Sequence, residues 1–223
     1  MKKSGKHEGR IEVIFFDMDG VVLNSMPYHV MAWQEAFGEF GLDVPSQLFY
    51  LYEGAIEPQN AVDLFSQNGC RLSVKDFSVI FRRQREIFKE RFEKKVRPFP
   101  EIPQILSQLY EMGIKTALVT SSHKDILAGI LPQWLISRFE CIVTGDAVKH
   151  RKPHPAPYLK AVDHFQALPN RCVAIENAPA GIESAKRAGL MCIAIETTLT
   201  KDHLHMADAI VKDHKELLHA VDI

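Results

Sequence analysis

The sequence predicts an α/β fold: a doubly wound, parallel-sheet core interrupted by a small, all-helical insert. Three observations carry this expectation. Short apolar runs rich in β-branched residues alternate with helix-length stretches over much of the 223-residue chain, the pattern of strand–helix–strand units in a parallel sheet. Several of those runs end in polar groups, at Asp17 and Asp19, at Thr120 to Ser122 and at Glu176 and Asn177. Residues 25–95, by contrast, hold helical patterns and no convincing strand. The expected division is a core of residues 1–24 and 96–223 and a helical cap of residues 25–95.

The first strand lies within Ile11 to Phe16, where five of six residues are apolar; such a run suits a strand covered on both faces. Asn24 or Ser25 can cap the helix that follows, with Pro27 in its first turn, and Val30, Trp33, Phe37 and Phe40 recur at helical spacing until Gly41. Ala61, Val62, Leu64 and Phe65 suggest a short helix ended by Asn68-Gly69. Ser73 or Asp76 opens a longer one, apolar at Phe77, Ile80, Phe81, Ile87, Phe88 and Phe92 and basic at Arg82, Arg83, Arg85, Lys89 and Arg91. That basic run reads as the solvated face of an amphipathic helix. The segment RPFPEIP, with three prolines, makes a stiff return to the core.

Beyond it come a helix over Ile102 to Met112 stopped by Gly113, the strand IKTALVT, a helix over Lys124 to Leu131, and the strand CIVTG. A helix over Pro155–Phe165, the strand CVAIE, a helix from Gly181 to Ala188, the strand MCIAI, an edge strand AIV and a C-terminal helix complete the chain. Right-handed crossovers would then wind the sheet on both faces.

Composition narrows the function classes. A hydrophobic content of 46% and a charged content of 25% are ordinary for a globular protein. A net charge of −1 supplies no field for nucleic acid or an acidic membrane. The basic start, with Lys2, Lys3, Lys6 and Arg10, is short enough to be a solvated tail. Cys141, Cys172 and Cys192 sit in apolar segments, and no CxxC pair includes them or Cys70. That usage is expected of a reduced, cytoplasmic protein. No apolar run reaches the roughly 18 residues that span a membrane. A monomer is expected.

Chemistry concentrates at the strand ends, where ligands bind in open α/β sheets. Asp17 and Asp19 follow the first strand two residues apart, and Gly20 lets the backbone turn. Two converging carboxylates repel unless a cation lies between them, and Mg²⁺ with oxygen ligands is the usual solution. Thr120, Ser121 and Ser122 offer hydroxyls and backbone N–H groups at a helix start, a phosphate-binding arrangement that ordinary helix caps also produce. Lys152 precedes a proline-stiffened turn, KHRKPHPAP, that could hold an ammonium near phosphate or stay a solvated loop. Glu176 and Asn177 add a carboxylate and an amide oxygen, both ligands suited to Mg²⁺. His203 and His205 lack a third ligand nearby and read as surface residues.

FDMDG, then VTSS, then the KP turn with Pro155 and Tyr158, then IENAPAGIESAKRAG together resemble the four motifs of the haloacid dehalogenase superfamily. The helical insert is similar to the small cap of its β-phosphoglucomutase-like phosphatases, and the resemblance covers nearly the whole chain. It implies a Rossmann-like core and an Mg²⁺-dependent phosphohydrolase. Asp17 would be the nucleophile forming an aspartyl-phosphate, and Asp19 the general acid and then base. Thr120, with Ser121, Ser122 and Gly20 nearby, would bind the phosphoryl group, and Lys152 would neutralise it. Asp17, Asp19, Glu176 and Asn177 would hold the metal. The family often carries a second acid where this chain has Asn177.

The cap should select the substrate. His29 stands where the family's phosphosugar mutases carry a histidine that couples cap closure to acid–base chemistry; a packing role is equally open. Those mutases bind a second phosphate through basic residues around a cap glycine, whereas Glu53 and Glu57 flank Gly54. This favours hydrolysis of a small phosphorylated metabolite or of inorganic pyrophosphate. A β-phosphoglucomutase is the alternative enzyme, and a non-catalytic phosphometabolite-binding domain the alternative of another class.

Overall fold

A computed structural model describes residues 10–221 except 57, 67, 68, 70 and 71. Lys2, Lys3 and Lys6 of the basic start, Glu57, Asn68 and Cys70 therefore lie outside the described residues. Six strands form one sheet: β1 (Val13–Phe16), β2 (Lys115–Val119), β3 (Cys141–Val143), β4 (Cys172–Glu176), β5 (Met191–Ile195) and β6 (Ala209–Val211). Their order is β3-β2-β1-β4-β5-β6, and every pairing is parallel. The chain winds outward from β1 to one edge, then returns to build the other. The reversal between β1 and β4 opens a crevice beyond their carboxyl ends.

Side-chain alternation assigns the two faces. Ile14, Phe16, Leu118, Val173 and Ile175 pack into one cluster with Ile105 and Leu109 of α5 (Ile102–Glu111). Val13, Phe15, Val119, Cys172 and Ala174 pack into the other with Tyr158 and Ala161 of α8 (Ala156–Phe165) and Ile182 of α9 (Pro179–Arg187). Both faces are covered, which explains why the strands read as continuous apolar runs rather than alternating ones. The sequence does not announce the one-turn helix α7 (Gln133–Ile136), which falls between α6 (Lys124–Ile130) and β3. The chain ends in α10 (Leu217–Ala220). Among the described residues no helix is long and apolar enough to cross a membrane.

Between β1 and β2 the insert comprises α1 (Met26–Gly38), α2 (Ser46–Leu51), α3 (Pro58–Ser66) and α4 (Val74–Ile87). Its centre is aromatic: Phe37 lies 5.2 Å from Phe65 and 5.5 Å from Phe49 between ring centroids, and Phe65 lies 5.6 Å from Phe77. Burying each such ring contributes about 1.5–3 kcal/mol, enough to hold short helices that would not persist alone. Ser73 and Asp76 form a capping box at the start of α4. At Phe88 that helix widens into a π turn, Phe88–Phe92, a feature common beside functional sites. Its basic face is laced with ion pairs, Arg83 with Glu39 and Arg85 with Asp125, the latter tying the insert to α6.

Candidate active site

The carboxyl ends of β1, β2 and β4 bring the expected residues together. Asp17 follows β1 directly, its N–H bonded to the Ile175 carbonyl of β4 at 3.0 Å. Lys152, which precedes a cis Lys152–Pro153 peptide, reaches the ends of the same strands. Its Nζ lies 2.5 Å from Asp17 Oδ1, 2.7 Å from Glu176 Oε1, and donates to the Val119 carbonyl at 2.8 Å. Tyr158 donates its hydroxyl to the same Glu176 oxygen. All four groups are buried. A Cβ on Gly181 would overlap the Glu176 carboxylate, so the glycine at the start of α9 admits it.

The two aspartates have opposite electrostatic settings. Burial raises Asp17, Lys152 opposes it, and Glu176 and Asp19 add repulsion, leaving its pKa at about 8. Burial also pushes Asp19 up. There the His29 ring and the hydroxyls of Ser25 and Ser122 outweigh burial and hold the carboxyl below its usual range. Ser25 donates to Oδ1 at 2.6 Å and Ser122 to Oδ2 at 2.8 Å. The Lys152 ammonium loses solvation on burial, but Asp17 and Glu176 more than restore it, and its pKa rises. Paired titratable groups driven apart in this way mark acid–base chemistry.

Ser25 differs from its expected role. It makes no side-chain cap for α1; its hydroxyl is spent on Asp19 instead. Nothing in the spacing of Ser25 and Asp19 signals this, because the contact depends on how Gly20 to Asn24 folds back. Ser122 likewise reaches Asp19, while Ser121 Oγ is buried with no partner among the described residues. Thr120 Oγ1 accepts from the Ser122 N–H at 3.0 Å, shaping the turn around it.

The insert completes the wall. His29 stacks on Phe88 with centroids 3.9 Å apart and planes at 3°. Gln84 Nε2 lies 3.4 Å from His29 Nδ1; an amide NH₂ can only donate, so the ring proton belongs on Nε2. That atom is 3.4 Å from Asp19 Oδ1, in ion-pair range but outside good hydrogen-bond geometry. Glu53 also faces the site: Asn177 Nδ2 donates to its Oε2 at 2.9 Å. Burial, then the charges of Asp17, Asp19 and Glu176, raise its pKa well above the usual value. Gly20 (φ +88°) contacts the same amide, for a Cβ there would overlap Asn177 Nδ2. Between these groups lies a cavity of about 130 Å³ with an apolar side made by Trp33, Phe49, Ile56, Phe81 and Phe88. Arg151 and His123, which also line it and bond each other, were not singled out by any motif.

The residues fit a magnesium ion. Four carboxylates, Asp17, Asp19, Glu53 and Glu176, line the cavity, and Asn177 Oδ1 is buried with no hydrogen-bond partner among the described residues. Among the described residues no group of three His, Cys, Asp or Glu side chains forms a ready cage. Mg²⁺ needs none, since it keeps waters and takes one or two carboxylates together with substrate phosphate. His203 and His205 make no metal pair: His203 bonds Gln47 and His205 the Asp202 carbonyl.

Comparison with known proteins places most of the chain. Over 183 residues, 82% of this chain and 95% of the relative, the sequence is 28% identical to the fructose-1-phosphate phosphatase of Escherichia coli. It is also 28% identical to the phosphorylated carbohydrates phosphatase of Thermotoga maritima, over 81% of this chain and 82% of the relative. In fold it resembles the β-phosphoglucomutase of Clostridium difficile, with a TM-score of 0.75, 20% identity, and coverage of 95% of this chain and 97% of that one. The family profile of haloacid dehalogenase-like hydrolases matches residues 14–195. The chain belongs to the haloacid dehalogenase-like hydrolases and is an enzyme of the hydrolase or phosphotransferase type.

Proposed function

We propose that this enzyme is a Mg²⁺-dependent phosphohydrolase that cleaves a small phosphorylated metabolite through an aspartyl-phosphate on Asp17, with residues 25–95 acting as a cap over the core. The observation that carries the reading is the convergence of Asp17, Asp19, Thr120, Lys152 and Glu176 on one cavity at the strand ends, with the Lys152 ammonium 2.5 Å from Asp17 Oδ1 and 2.7 Å from Glu176 Oε1. Asp17 Oδ attacks phosphorus while the ester oxygen leaves with a proton from Asp19. Water then attacks the aspartyl-phosphate and gives its proton back to Asp19. Asp19 is ionised at neutral pH in this setting, ready for the second step. For the first it must take up a proton from solvent; His29 Nε2, 3.4 Å away, faces the same carboxyl.

Lys152 offsets charge on Asp17 and on the incoming phosphoryl group, and Thr120 and Ser121 line the place where that group would sit. Bound Mg²⁺, held by Asp17, the Asp19 carbonyl, Glu176 and Asn177, would supply the remaining neutralisation and align the phosphate.

The apolar side of the cavity, made by Trp33, Phe49 and Phe81, suits the organic part of a phosphate ester, which inorganic pyrophosphate lacks. Relatives that act on fructose 1-phosphate and phosphorylated carbohydrates point to the same class. Glu53, close to Asn177 and Asp17, speaks against a mutase, which must hold a second phosphate on the cap side. A panel of hexose phosphates, other phosphate esters, nucleotides and pyrophosphate, assayed with Mg²⁺ for phosphate release and for glucose 6-phosphate, tests the reading. Phosphate release from an ester is expected, and Asp17→Asn should abolish it. Release retained by that variant, or silence of the wild type across the panel, defeats the proposal.

A further inference from the structure

Asn177 stands at the end of β4 with its side-chain amide locked in one orientation. Its Nδ2 donates to Glu53 Oε2 at 2.9 Å and to Thr198 Oγ1 at 3.0 Å. The Thr198 hydroxyl in turn donates to the Asn177 backbone carbonyl at 3.3 Å. A hydroxyl whose proton goes to that carbonyl can only accept from the side chain, and Glu53 Oε2 accepts from the same NH₂ group. Both partners therefore demand the NH₂ group on their side and turn Oδ1 the other way. That oxygen is fully buried and makes no hydrogen bond among the described residues, at the joined carboxyl ends of β1 and β4.

The two partners come from different parts of the fold. Thr198 follows β5, beside Thr197, whose hydroxyl donates to the Gly20 carbonyl at 2.5 Å. Glu53 belongs to the insert, in the turn after α2. Its neighbour Gly54 lies close over the core: a Cβ there would stand 3.4 Å from Ser121 Oγ and 3.8 Å from Lys152 Cδ.

We propose that Glu53 and Thr198 are positioning residues that present Asn177 Oδ1 as a Mg²⁺ ligand, so that seating of the insert turn and Mg²⁺ binding favour each other. The inference rests on the Mg²⁺-dependent reading above. A carboxylate at position 177 would offer oxygen on both sides and repel Glu53; an amide presents oxygen on one side only and needs the neighbours that orient it. Because coupling between two sites is reciprocal, a turn that orients the ligand is itself held in place by the ion.

Isothermal titration of the full-length protein with Mg²⁺, in the absence of substrate, tests this. Glu53→Asp keeps the charge and withdraws it by one methylene; Thr198→Val removes the hydroxyl, and Thr198→Ser restores it. Glu53→Asp and Thr198→Val should each weaken Mg²⁺ binding roughly tenfold with the metal-free melting temperature little changed, and Thr198→Ser should bind like wild type. If Thr198→Val does not fold, Glu53→Asp decides. Should Glu53→Asp bind like wild type while Glu53→Gln is weakened, the residue acts through its charge alone and the inference falls. Wild-type affinity in Glu53→Asp and Thr198→Val overturns it while leaving the phosphohydrolase intact. Wild type that takes up no Mg²⁺ overturns the metal-dependent reading and this inference together.

Discussion

Lys152 Nζ lies 2.5 Å from Asp17 Oδ1 and 2.7 Å from Glu176 Oε1, so one buried ammonium is shared by two carboxylates that arrive on different strands. The arrangement is stable only as a unit, because removing one member leaves the others buried without compensation.

Lys152→Ala should therefore reduce both activity and stability. Phosphate release should fall roughly 10²–10³-fold, and unfolding at pH 7 should cost about 3–5 kcal/mol less than in the wild type. Urea denaturation at pH 7 checks the cause. Lys152→Met, which keeps an unbranched apolar stem and removes the ammonium shared by Asp17 and Glu176, should lose nearly as much stability; wild-type stability in that variant would point to packing instead.

Ser25→Ala removes a hydroxyl that donates to Asp19 Oδ1 at 2.6 Å and helps hold that carboxyl below its ordinary range against burial. Without it the Asp19 pKa rises. Asp19 must be ionised to accept the proton of water in the second step, so the acidic limb of the dephosphorylation rate, followed in single turnovers of the aspartyl-phosphate, should move to higher pH. A limb that does not move would remove Ser25 from the electrostatics of the site.

Gly20 and Gly113 have similar left-handed backbones, with φ of +88° and +71°, but different surroundings. A Cβ at Gly20 overlaps Asn177 Nδ2, whereas at Gly113 the nearest neighbour is Arg10 Nη2 at 4.0 Å. Gly113→Ala should cost about 1–2 kcal/mol in conformational strain and leave turnover intact. Gly20→Ala should cost more and also depress turnover, because it displaces Asn177. Melting curves and initial rates on both variants separate strain from displacement.

His214 donates from Nε2 to the Val21 carbonyl at 2.7 Å and packs on Phe99 at 4.4 Å between ring centroids, bracing the turn after Asp19. Burial lowers its pKa, with the Val21 bond opposing. The unfolded chain therefore binds a proton near pH 6.5 that the folded chain refuses. This contribution to stability is intact above the unfolded value and declines as pH falls below it, until the folded pKa is passed. His214→Gln can keep a donor near Val21 without titrating. Melting temperatures from pH 8 to pH 5 should fall more steeply for the wild type than for this variant.

Much of the fold and part of the site were legible in the order of residue types. The apolar runs at Val13–Phe16 and Cys172–Glu176 read as strands because both faces of a central parallel sheet exclude water. A chain-ordered set of Asp17, Asp19, Thr120, Lys152, Glu176 and Asn177 could be read because strand ends gather at one edge of such a sheet whatever the loops do. The helix α7 was not legible, since four residues carry no periodicity to detect.

What sequence alone determined is therefore the architecture and the chemical identity of the groups at the strand ends, both set by local pattern and by the geometry common to parallel sheets. Tertiary structure decided how those groups are tuned. Ser25 serves Asp19 rather than a helix end, His29 lies on Phe88, Glu53 meets Asn177 from the insert, and Tyr158 shares Glu176 with Lys152. Each of these contacts joins residues on separate elements, or across a turn whose course depends on its neighbours. Their energies depend on burial and ångström-scale distance, which no spacing along the chain encodes.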